Sequence, residues 1–93
     1  MELGGLVALG VKFFDPDNGY KVKQLAEIDT HIAGGRHVTT MIRYVAGIRK
    51  DRTGYHLITQ DMIYAKERCL QGDRMTRIRP EDIIAYRVLQ SFE

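Results

Sequence analysis

Hydrophobic and polar positions alternate with a period of two from Leu25 to Ile48, the pattern of paired strands with one buried and one wet face. Turn-forming clusters at Asp15-Pro16-Asp17-Asn18-Gly19, Gly34-Gly35, Lys50-Asp51-Arg52-Thr53-Gly54 and Gln71-Gly72-Asp73 cut the chain into five segments. A hairpin over 25–48 admits two registers. A two-residue turn at Gly34-Gly35 sets Ile28 opposite Met41, puts Ala26 on one face with Arg43, and leaves Val38, Ile42 and Tyr44 among Glu27 and Asp29. A three-residue loop, Ala33-Gly34-Gly35, pairs Ile32 with Arg36, Thr30 with Val38, Ile28 with Thr40 and Ala26 with Ile42. The second register is preferred because it makes one face apolar: Ala26, Ile28, Ile32, Val38, Ile42, Tyr44, Ala46 and Ile48. The opposite face then carries Glu27, Asp29, His31, His37, Thr39, Met41 and Arg43.

Tyr55 to Tyr64 reads as a third strand with weaker alternation, which implies that both of its faces are partly covered, as by a helix. After Ile78-Arg79 the pattern changes. Pro80 at a first helical position, followed by Glu81 and Asp82, predicts a helix over 80–91 with Ile84 and Val88 on its apolar stripe. The competing reading is a final strand with Ile84, Tyr86, Val88 and Phe92 on one side. The apolar opening from Leu3 to Val11 fits a buried strand or a short core helix. No basic residue precedes it and Lys12 ends it, so it does not resemble a signal peptide, and it is too short for a membrane span of about 20 residues.

Together these elements predict one domain, 1–93, of α+β class: a small antiparallel sheet of four to five strands in long hairpins, with a C-terminal helix on one face. An all-β small barrel is the alternative. A chain of 93 residues buries a thin core, which argues against a large enzyme. The single cysteine, Cys69, cannot form an internal disulfide and fits a reducing, cytoplasmic setting. Net charge is only +2, but it is unevenly spread. Residues 1–35 carry three lysines against five acids, and residues 36–93 carry eleven Lys/Arg against seven acids. Arg68, Arg74, Arg77 and Arg79 form the densest basic stretch and are the candidate partner-binding residues.

Other constellations point to no chemistry. In the preferred register His31 and His37 face each other across the hairpin, with Asp29 one same-face step away, but no fourth ligand occurs at metal-site spacing. Cys69 lacks a helix start or a predictable base that would activate it. Glu81 and Asp82 are neighbours and diverge on a helix, so they do not make a proton-sharing pair. No catalytic residue, metal, cofactor or small-molecule substrate is expected.

The segment Gly35-Arg36-His37-Val38-Thr39-Thr40-Met41-Ile42-Arg43-Tyr44-Val45-Ala46-Gly47, then Tyr55 to Ile63 with its Gln60-Asp61-Met62-Ile63 ending, resembles the closing part of the type II/IV secretion ATPases of pilus assembly and conjugation. Gly72 to Pro80 is similar to that family's Ile-Arg-Pro-helix element, and Leu25 to Ile32 to the strand entering its hairpin. The resemblance covers roughly residues 24–93. It does not extend to nucleotide chemistry: no Gly-x-x-x-x-Gly-Lys-Ser/Thr occurs, so no phosphate cradle is present. The resemblance implies a non-catalytic assembly or protein-interaction domain of a secretion or pilus-type machine, contacting a protein partner or forming a homo-oligomer. The alternative is a small β-rich nucleic-acid-binding module that uses Arg68–Arg79.

Overall fold

The computed structural model describes residues 1–32, 35–63 and 68–93. It contains a short helix, α1 (Leu3–Ala8), and five strands: β1 (Gln24–His31), β2 (Val38–Asp51), β3 (Gly54–Asp61), β4 (Thr76–Ile78) and β5 (Ile83–Ser91). All strand pairings are antiparallel and the spatial order is β4-β3-β2-β1-β5. The expected antiparallel sheet is present. The expected C-terminal helix is not.

Pro80 and the acids after it start a single 3-10 turn, Pro80–Asp82, and the chain then becomes strand β5. Two physical reasons favour this outcome. Ile83, Ile84, Tyr86 and Val88 are β-branched or aromatic and suit a pleated surface. In addition, β1 is buried at every second position, and β5 satisfies its second edge from Gln24 to Thr30. The faces also differ from the strand alternative, since Ile83 and Tyr86 are buried, Val88 is half-buried and Ile84 is exposed.

The hairpin register is corrected as well. Ile28 pairs with Met41, Ala26 with Arg43 and Thr30 with Thr39. This is the alignment of the shorter turn, although Ala33 and Gly34 themselves lie outside the described residues, as does Tyr64. Ile28 and Ile42 therefore lie on opposite faces: Ile28 is fully buried, whereas Ile42 is 43% exposed. Ile32 and Val38 are exposed too.

The reason lies further along β2. Its register against β3 shifts between Val45 and Gly47, where one extra residue reverses the alternation. Val45 and Ile48 consequently both enter the core despite their odd spacing. Arg43, which this register turns toward the core side, is half-buried and donates from Nε to Thr59 Oγ1 at 3.1 Å. Burial lowers its pKa, opposed by the nearby Asp61 carboxylate.

The two sheet edges are consecutive in sequence. Four strand spacings would separate them by about 19 Å in a flat sheet, whereas the five residue steps from Ile78 to Ile83 span less than about 18 Å even when fully extended. The turn at Pro80–Asp82 shortens that reach, so the sheet coils. Inside the coil lies the main core, with Ala26, Ile28, Val45, Leu57, Ile83 and Leu6 of α1. A smaller cluster, Val22, Ala46, Ile58 and Leu70, covers the other face. Both faces of β3 are buried as expected, but the second is covered by the segments around Val22 and Leu70 rather than by a helix. There Gln60 donates from Nε2 to Gln71 O and accepts from Gln71 N, both at 3.0 Å.

One buried polar chain ties the core to the opening helix. Tyr86 donates its hydroxyl to Gln24 Oε1 at 2.6 Å, and Gln24 Nε2 donates to Leu9 O at 3.0 Å. Burial pushes the Tyr86 phenol well above its ordinary pKa. Tyr86→Phe would leave the Gln24 carbonyl without its donor, at a cost of about 1–3 kcal/mol. The expected readout is a lower urea midpoint at unchanged slope.

Candidate interaction surface

The four candidate arginines are not gathered into one open patch. Arg68, at positive φ, places its guanidinium 4.4 Å from the centre of the Phe92 ring, and its carbonyl accepts from Val22 N. Arg74 is exposed at the end of a 3-10 turn, Gly72–Arg74. Arg77 on β4 meets Asp51 Oδ2 at 2.9 Å, and Arg79 meets Asp82 Oδ2 at 3.0 Å and Oδ1 at 3.2 Å. Arg77 and Arg79 both line a cavity of about 510 Å³ with His31, Thr39, His56 and Asp82, to which neither Arg68 nor Arg74 contributes. Arg77 and Arg79 are thus each paired with a carboxylate of the same chain at the surface.

Asp51 anchors that corner. Thr53 donates to its Oδ1 from both hydroxyl (2.7 Å) and N–H (2.9 Å), and these bonds, with smaller help from His56 and Arg77, hold the carboxyl below its usual range. His56 is buried with Nδ1 3.4 Å from Asp51 Oδ2, a contact without hydrogen-bond geometry.

The corrected register also separates the histidines. His31 pairs with Val38, not His37, and Asp29 accepts a hydrogen bond from Thr40 Oγ1 at 2.6 Å. Among the described residues no group of three His, Cys, Asp or Glu side chains is placed to hold a metal. Cys69 is exposed and sits in an isolated bridge with Lys21. Asp82 serves Arg79, which is a structural role. No described helix is long and apolar enough to cross a membrane.

The sheet edges offer the clearer surface. β4 is three residues long, carries Arg77 and is followed directly by Arg79, features that blunt an edge. β5 runs for nine residues without proline, glycine or lysine, carries one charge (Arg87, paired with Glu27 at 3.3 Å), and exposes Ile84 and Leu89. Among the described residues its outer edge accepts one main-chain bond, from the Met1 amine to Ile83 O. Reading 80–91 as a helix hides this edge; the β-rich composition of 83–88 is the signal that could have revealed it.

A second arrangement is also hidden in the sequence. Phe13 and Phe14, far from the arginine stretch, fold against Arg49, Lys50 and Tyr55 through a parallel bridge at Ile48. No family model matches the chain, and neither a curated protein nor a solved structure is matched.

Proposed function

We propose that this chain is a non-catalytic assembly domain whose β5 edge pairs with the β5 edge of a second copy. The observation that carries this reading is the contrast between the two sheet edges: β4 is short and charged, whereas β5 runs for nine residues with no proline, glycine or lysine, interrupted only by register shifts against β1 at Ile84 and Leu89. An unpaired row of N–H and C=O groups is a template for another strand, and a second copy supplies an identical edge about a two-fold axis. The coiled sheet would then continue across the junction, with Ile84 and Leu89 losing their exposure. The motif resemblance to secretion ATPases supports placing such an assembly in a cytoplasmic secretion or pilus-type machine.

Light scattering over a concentration series tests the reading. The chain is expected to gain mass with concentration, and the double variant Ile84→Lys/Leu89→Lys to remain monomeric while melting normally. A monomer at every concentration would overturn it, as would assembly that the two lysines leave intact. The rival reading, nucleic-acid binding through Arg68–Arg79, is weaker because Arg77 and Arg79 already face carboxylates.

A further inference from the structure

From the aromatic and cationic side chains around Ile48 we infer a second site, a platform that takes the bases and phosphates of single-stranded nucleic acid. It lies on a different part of the chain from β5 and does not depend on the assembly reading. Ile48 N donates to Lys12 O at 2.9 Å and Phe14 N donates to Ile48 O at 2.6 Å, which fixes residues 12–14 beside β2. Phe13 and Phe14 thereby flank the Arg49-Lys50 pair, and these four residues line a shallow depression of about 330 Å³ with Pro16 and Ile48.

The chemistry within it is consistent. Phe13 is 56% exposed, an unusual state for so large a ring, and meets Tyr55 edge-on at 6.1 Å. Lys50 Nζ lies 5.5 Å from the Tyr55 ring centre, the two residues being cross-strand partners. On the other side Phe14 stacks on Tyr20 at 4.7 Å, and Arg49 lies over both rings while donating to the Tyr20 hydroxyl.

Arg77, Arg79, Arg87, Lys12 and Lys23 all hold carboxylates. Arg49 and Lys50 hold none among the described residues, and their partners are aromatic faces. Exposed rings beside unneutralised cations are what single-strand binding uses: any base can stack, and the cations meet the phosphates. The depression lies at the small end of the range for ligand sites, about 300–1,000 Å³, and suits one base rather than an entire folded partner.

Fluorescence anisotropy with labelled oligo(dT) and oligo(rU) of about 10 nucleotides tests the site on the full chain. Binding that weakens as salt rises is expected. Phe13→Ala, at an exposed position, should weaken it roughly 5- to 150-fold through loss of one stacked base. Lys50→Gln should lower the salt slope by about one. Arg77→Gln should leave affinity unchanged, as should Ile84→Lys/Leu89→Lys, which separates this site from assembly. Absence of salt-dependent binding to both strands would overturn the inference, and so would binding indifferent to both Phe13→Ala and Lys50→Gln.

Discussion

Gly47→Ala is expected to destabilise the domain by about 3 kcal/mol, enough to leave much of a marginally stable chain unfolded. Gly47 has φ +143°, which an L side chain rarely adopts, and an added Cβ would lie 2.6 Å from Lys12 O. That carbonyl cannot simply retreat, because it accepts the Ile48 N–H that docks residues 12–14. The substitution thus attacks the bulge that returns Ile48 to the core and the bridge that holds Phe13 and Phe14 at once. Urea denaturation should show the fall directly, and a loss below about 1 kcal/mol would mean that the bulge relaxes without strain.

Ile28→Ala and Ile42→Ala should differ sharply. Ile28 is fully buried on β1, so its truncation should cost about 2–5 kcal/mol in lost transfer energy and cavity formation. Ile42 is 43% exposed, and its truncation should cost roughly 0.5 kcal/mol. Matched denaturation curves decide the register. Two comparable, large losses would instead support the alignment that pairs Ala26 with Ile42 and buries both isoleucines together.

Much of the sheet is legible in the residues. The turns at 50–54 and 71–73, the strand content of 25–61 and the burial of both faces of β3 can be read from composition and alternation. The register cannot, and the cause is local. Counting apolar residues across 38–48 assumes an unbroken period of two, whereas the bulge before Gly47 reverses it. With Ile48 assigned by parity, Ile42 and Val38 are grouped with it; removing one residue from the count puts them outside.

The terminal element misled for a different reason. Pro80, Glu81 and Asp82 are genuine helix-start chemistry, and they do form a turn. The conformation of residues 83–91 is decided instead by the open edge of β1, a partner some sixty positions earlier that no local window contains. The candidate surfaces have the same origin. Arg77 looks free in sequence because Asp51 is distant from it, and nothing local marks Phe13 because its neighbours Lys50 and Tyr55 are distant as well.

The pairing of β1 with β5 carries a kinetic consequence. Its contacts join residues separated by 53 positions (Thr30 to Ile83) up to 67 (Gln24 to Ser91). At about 5–20 residues per second, a ribosome delivers that interval in roughly 3–13 s. For the last roughly 2–8 s of it, from the completion of β2 at Asp51 to the end of β5 at Ser91, the nascent β1–β2 hairpin has no β5 to close its side, and Ala26 and Ile28 lack much of their cover. Bystander chains or chaperones therefore have a window of seconds in which to compete for the same backbone groups that β5 later claims.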